Sequence, residues 1–159
     1  MYKRILLATD GSNLALHAAE HGIALAKRIG ATVLALYASP PFDASLGLEF
    51  VPPTMLPLDL YTESTRVEAA RHLDVVRVCA KAAGVACRVK HLRSLSPPEA
   101  IVAVALAEKC DLVVVGSHGR GAIGQLWLGS VTTRVLATSS VPVLVFRDPA
   151  KPKPRPRKN

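Results

Sequence analysis

The sequence predicts an α/β fold, a single doubly wound domain built on a parallel sheet with helices on both faces. Three observations carry that expectation. Short apolar runs alternate along the chain with longer segments of helical period, the pattern of strands joined by right-handed crossovers. Half of the residues are apolar but only 4% are aromatic, so the core is drawn from Val, Leu, Ile and Ala, as in strands buried on both faces. A length of 159 residues corresponds to about one domain, enough to bury a core without disulfides or metals.

Each element has its own signal. Arg4–Thr9 (RILLAT) reads as a buried first strand. Asp10-Gly11-Ser12 breaks it, and Ser12 is placed to cap the next helix. There Leu14, Ala18, Gly22, Leu25 and Ile29 recur at helical spacing until Gly30 stops the helix. Residues 32–38 (TVLALYA) give the second strand. Residues 39–60 hold five prolines and no sustained period, and read as a long loop. Its apolar side chains, Phe42 and Phe50 among them, are expected to pack over the domain or, less simply, against a partner.

Helical period returns over 62–83 and ends at Gly84. Residues 85–92 (VACRVKHL) alternate as a third strand. Ser96-Pro97-Pro98-Glu99 carries a Ser cap, a proline at the first helical position and a glutamate three residues after the cap. That helix is expected to end near Lys109. Residues 112–115 (LVVV) form the fourth strand, Ser130–Thr138 a helix, and 141–146 (VPVLVF) the fifth strand. Beyond Asp148 proline alternates with Lys or Arg, so a domain is expected over 1–148 and a disordered basic tail over 149–159.

The totals narrow the function classes. The net charge is +8, but Lys151, Lys153, Arg155, Arg157 and Lys158 supply five of those charges. The basicity belongs to a tail, and no specific nucleic-acid partner is implied. The tail is expected to be solvated, with a weak hold on acidic lipids or nucleic acid left open. Cys79, Cys87 and Cys110 are odd in number and lack C-x-x-C spacing, which disfavours a disulfide framework or a zinc site and fits a reducing cytoplasm. No apolar run approaches the ~20 residues of a membrane span, and the first residues enter a strand-like run without a cleavage site.

In parallel sheets ligands collect at the carboxyl ends of strands, where the strand order reverses. Two loops at such ends carry unusual chemistry: Thr9-Asp10-Gly11, and the segment from Gly116 onward. Residues 116–124 (GSHGRGAIG) contain four glycines, and Gly129-Ser130 opens a helix five residues later. Phosphate binding needs backbone N–H groups close to oxygens, and glycines leave room for that approach. The helix start adds aligned N–H groups and partial positive charge, Arg120 a cation and His118 a hydrogen bond. The competing reading is a flexible loop whose glycines only satisfy turns.

Two known motifs are excluded. There is no G-x-x-x-x-G-K-[ST], so this is not a P-loop NTPase. Residues 119–124 (GRGAIG) match G-x-G-x-x-G, but Gly116-Ser117-His118 separates them from the strand and too little chain follows for a hydride-transfer half.

The spacing Gly116-x2-Gly119-x9-Gly129-Ser130 resembles the ATP-binding members of the universal stress protein family, which carry G-x2-G-x9-G-[ST]. The resemblance extends to the opening strand ending in Thr9-Asp10, to the fourth strand and to the closing Val141-Pro142-Val143-Leu144-Val145, about residues 1–147 in all. It implies a five-stranded sheet in the order 3-2-1-4-5 and a homodimer formed through the last strand. By the same resemblance Asp10 would meet the ribose, and the main chain at Ala8, Thr9 and Ala38 would frame the adenine. Val115, Gly116, Ser117, His118, Gly119, Arg120 and Gly121 would wrap ribose and phosphates, closed over by Gly129, Ser130, Val131 and Thr132. Mg²⁺ or Mn²⁺ would accompany the ATP. The family departs here in one respect, Ala38 standing where a larger apolar residue is common.

The implied function is a stress-response sensor or signalling adaptor with at most slow ATP hydrolysis, since no general base is evident. The alternative is a nucleotide-free dimeric protein-interaction module. Other candidates weigh less. His17 and His21 lie four apart on the first helix but lack a third metal ligand. Ser117 and His118 are adjacent, a poor arrangement for proton transfer, and a phosphate contact suits His118 better. Asp10 is either a ribose contact or part of the helix cap.

Overall fold

In the computed structural model, residues 1–39, 58–118 and 128–147 are described. The central strand β1 (Arg4–Thr9) pairs in parallel with β2 (Thr32–Ser39) on one side and β4 (Leu112–Gly116) on the other. The edges are β3 (Cys87–Arg93) and β5 (Val143–Phe146), so the sheet is five-stranded, all parallel, in the expected order β3-β2-β1-β4-β5. Successive side chains of a strand face opposite sides, and two cores follow. Ile5, Leu7, Val33, Ala35 and Val114 face α1 (Asn13–Ile29) and α2 (Leu58–Ala83). Leu6, Leu34, Leu36, Val113 and Val115 face α3 (Pro97–Ala107) and α4 (Ser130–Thr138). Full burial of such side chains contributes roughly 1.5–3 kcal/mol each.

Several boundaries differ from the sequence reading, each for a local reason. The loop expected over 39–60 is shorter at both ends. Ser39 still pairs with Arg93 in the sheet, and α2 starts at Leu58, directly after the last proline of the stretch. Residues 40–57, including Phe42 and Phe50, lie outside the described residues, as does the basic tail expected over 149–159.

Val85 does not open β3. Gly84, at φ +73°, donates to the Lys81 carbonyl and Val85 to the Ala80 carbonyl, the paired bonds of a Schellman cap that closes α2. The same bond pattern ends α3 two residues before Lys109, which itself holds φ +54° while Cys110 donates to the Ala105 carbonyl. A lysine therefore fills a left-handed position where glycine would be usual. At the other edge β5 begins at Val143 because Ser139 Oγ ties back the Val141 N–H (3.1 Å) and donates to its carbonyl (2.7 Å).

The two serine caps behave differently. Ser12 Oγ accepts from the Ala15 N–H (3.2 Å) as expected. Ser96 makes no capping bond. Ser94 Oγ instead accepts the Ser96 N–H and donates to the Ser96 carbonyl, both at 3.1 Å, while Glu99 turns outward to Arg134 (3.2 Å). The two-proline start has displaced the expected capping box into a short serine turn upstream.

Candidate functional site

β1 and β4 are neighbours, yet β1 leads into α1 on one face and β4 leads toward α4 on the other. At such a switch point the connecting chains diverge and leave a crevice. The crevice here is a cavity of about 420 Å³, within the usual range of about 300–1,000 Å³ for small-molecule sites.

Of the residues nominated from sequence, Ala8, Thr9, Asp10, Ala38, Val115, Gly116, His118, Gly129, Ser130, Val131 and Thr132 line this cavity. Gly119, Arg120 and Gly121 lie outside the described residues. Ser117 sits beside the wall rather than in it, buried with only 2% of its surface exposed. Four lining residues escaped the sequence reading: Ala15, Leu36, Pro97 and Ile101. Leu36 shares a strand face with the nominated Ala38, so a period-2 signal was there to read, whereas Pro97 and Ile101, one helical turn apart on α3, neighbour no nominated position.

The β1–α1 turn is built from its own side chains. Thr9 Oγ1 accepts the Gly11 N–H (3.1 Å) and Asp10 Oδ1 accepts the Ser12 N–H (3.0 Å). Asp10 thus shapes the turn that precedes the cap while also facing the cavity, so its two readings are compatible. Gly11 is required by φ +79° and by the His72 ring, whose atoms would lie 2.5 Å from an added Cβ.

The β4 side of the cavity is held by hydrogen bonds from three elements. The Ser117 N–H donates to the Phe146 carbonyl, and the Gly129 N–H to the Ser117 carbonyl, both at 2.7 Å. The Thr132 hydroxyl donates to the Gly116 carbonyl (2.7 Å). These bonds set the first turn of α4 against the end of β4. The N–H groups of that turn have no intrahelical acceptors and carry the positive end of the helix dipole. The opposite wall is apolar: Ala8, Leu36, Ala38, Pro97 and Ile101. There α3 also presents its N-terminus, but Pro97 and Pro98 have no N–H to offer.

Two details add to the sequence reading. A Cβ on Gly129 would meet the His118 Cα at 3.1 Å, and one on Gly116 would meet Leu14 and the His118 carbonyl at 3.4 Å. A side chain at 129 would thus crowd the His118 backbone, whereas one at 116 would make ordinary contact, and both glycines also line the cavity. Ser117 and His118, adjacent as they are, do hydrogen-bond, Oγ to Nδ1 at 3.1 Å. With its hydroxyl buried behind the wall, Ser117 cannot reach a molecule in the cavity as a nucleophile would have to.

Elsewhere the shifted groups are structural. Burial and the Arg93 guanidinium hold the His91 ring below its usual pKa, and its Nε2 meets Ser39 Oγ at 2.8 Å. Burial pushes the Cys110 thiol up to about 11, which leaves it a small apolar core residue. Cys79, Cys87 and Cys110 are free. His21 Nδ1–H donates to the His17 carbonyl (2.9 Å) and its ring packs on Phe146 (4.4 Å between centroids). Among the described residues no cluster of three or more His, Cys, Asp or Glu could hold a metal, and no helix is long and apolar enough to cross a membrane.

A doubly wound sheet with a switch-point cavity, dipolar at one wall and apolar at the other, defines an α/β domain with a candidate small-ligand site. The chain belongs to the universal stress protein family, whose model matches residues 1–147. It is 35% identical over 153 residues to universal stress protein MJ0531 of Methanocaldococcus jannaschii, an alignment spanning 95% of this chain and 85% of that protein. Its fold is similar to the solved structure of protein MJ0577 of the same organism, with a TM-score of 0.79 and 27% identity over 95% of this chain and 99% of the other. It is also similar to a universal stress protein solved in complex with cAMP, with a TM-score of 0.67 and 26% identity over 92% and 97% of the two chains.

Proposed function

We propose that this universal stress protein binds ATP in the switch-point cavity and acts as a stress-response sensor or signalling adaptor, with at most slow hydrolysis. The single observation that carries the reading is the polarity of the cavity. The first turn of α4, Ser130 to Thr132, lines one side and the apolar residues of β2 and α3 the other. A nucleotide has the matching asymmetry, anionic phosphates at one end and a flat base at the other. The spacing Gly116-x2-Gly119-x9-Gly129-Ser130 supports the same reading, as does the cAMP bound by a structural relative.

In this reading Asp10 meets the ribose, and Ala8, Thr9 and Ala38 frame the base. Val115, Gly116, Ser117, His118, Gly119, Arg120 and Gly121 follow the ribose and phosphates, with Gly129, Ser130, Val131 and Thr132 closing the phosphate end. Mg²⁺ or Mn²⁺ enters with the nucleotide and neutralises phosphate charge. Asp10 is the one carboxylate among the described lining residues, and an oxygen donor suits these hard cations. The protein would thus assist a nucleotide-borne cation and not build a cage for one. The free thiols are consistent with a cytoplasmic setting.

A homodimer through the last strand fits the same picture. Leu128, Leu136 and Leu144 are 38–43% exposed on α4, β5 and the residues leading into them. They stand at the sheet edge, where a second copy would cover them.

Calorimetry with Mg²⁺ tests the central claim. ATP should bind more tightly than NADH, whose second nucleoside has no matching wall, and cAMP serves as a third ligand. Tighter binding of NADH, or no binding of any adenine nucleotide, would sink the assignment in favour of a nucleotide-free interaction module.

A further inference from the structure

Thr132 has two roles: it lines the cavity, yet its hydroxyl is already engaged. A threonine hydroxyl has one proton to donate. Thr132 gives that proton to the Gly116 carbonyl at 2.7 Å, and its side chain is buried, with the residue 4% exposed. What remains on Oγ1 is lone pairs, which repel an anionic oxygen. A phosphate could recruit this hydroxyl only by leaving the Gly116 carbonyl without its partner, and an unpartnered buried carbonyl is costly.

We infer that Thr132 is a positioning residue for the anion-binding end of the cavity, and not a ligand for the anion. Its hydroxyl ties the third residue of α4 to the last residue of β4. The Gly129 N–H, at the N-cap of α4, ties to the next residue, Ser117, at 2.7 Å. Two bonds to consecutive carbonyls leave the first turn of α4 little freedom to rotate. Its unpaired N–H groups are thereby held toward the cavity. The Gly129 bond is made by backbone alone, whereas the Thr132 bond depends on one side-chain hydroxyl. The aim of the helix end is therefore set by the hydroxyl at position 132.

This inference rests on the reading of the cavity as a nucleoside-phosphate site, and the experiment keeps the two apart. ATP and adenosine are titrated, with Mg²⁺, against the full chain carrying its native sequence, Thr132→Val and Thr132→Ser. Valine keeps the shape and removes the hydroxyl, while serine keeps the hydroxyl and removes a methyl. The ratio of ATP to adenosine affinity should fall about tenfold in Thr132→Val, the scale of one hydrogen bond. It should return to within about twofold of native in Thr132→Ser. Thermal melts confirm that each variant unfolds cooperatively at the assay temperature. If Thr132→Val proves unfolded, Thr132→Ala takes its place as the variant without the hydroxyl: a ratio lowered about tenfold supports the inference, and a native ratio overturns it. Loss of ATP and adenosine affinity in equal measure would overturn it, since a general packing defect does not distinguish phosphates. An unchanged ratio would do the same. If the native chain binds neither ligand, it is the assignment of the cavity that fails.

Discussion

At the scale of single residues, the site is shaped by contacts between protein atoms that a sequence does not display. Gly11 stands at the turn after β1 with φ +79°, and a methyl group there would collide with the His72 ring. That ring in turn lies parallel to Tyr37, 5.8 Å between centroids. Gly11→Ala should therefore destabilise by about 2–3 kcal/mol, from left-handed strain of about 1–2 kcal/mol and from overpacking. Only the second part should be relieved when His72→Ala is added. Chemical denaturation of the single and double variants checks this, and additive losses would show that the ring is not the obstacle. A Gly in an Asp-Gly-Ser turn is easily read as a turn residue. That a histidine sixty-one residues away also demands it is not, because the collision depends on how α2 packs. For the same reason Gly129 is legible as a glycine with a purpose, while the neighbour that a side chain there would crowd, His118, is not.

Elements were legible to the extent that their signals are local. Apolar runs and helical periods gave each strand and helix, and Ser12, Gly30 and Gly84 stand where capping chemistry puts them. The errors cluster where two signals compete. Ser96 has the composition of a cap, but the serine turn made by Ser94 satisfies the backbone first. Ser12→Ala should cost about 1 kcal/mol, about 3 °C in Tm for a chain of this size. Ser96→Ala should change stability by less than about 0.5 kcal/mol, as substitutions that break no bond do. Paired thermal melts distinguish the two, and equal losses would mean that the Ser96 hydroxyl caps α3 in solution. Val85 was mistaken for strand because a buried apolar residue after a glycine serves a helix cap and a strand equally well.

For the whole molecule, strand order followed from the resemblance and the alternation of elements, since right-handed crossovers leave few topologies open. The cavity was legible as a location, the carboxyl ends of β1 and β4, but its apolar wall was not. Pro97 and Ile101 reach it only because α3 packs beside β2 and α4 across the sheet. The sheet edge at β5 carries the assembly expectation. Light scattering at micromolar concentration should give the mass of two chains, and Leu144→Glu should shift it toward one. A monomer for the native chain would count against pairing through the last strand.

The two prolines that open α3 have a consequence for which molecules the crevice admits. Helix starts usually attract anions, and this crevice has two of them, at α3 and at α4. Pro97 and Pro98 weaken the first by removing two of its first-turn N–H groups, and the Glu99 carboxylate in the same turn opposes a further anion. In the proposed reading, a guest charged at one end then lies with its head to α4 and its ring to α3. Turned around, it would press its charge against a hydrocarbon wall, at a cost of several kcal/mol. The crevice is in that sense a filter for handed cargo: it sorts by the order in which charge and ring follow one another, before any particular base is recognised.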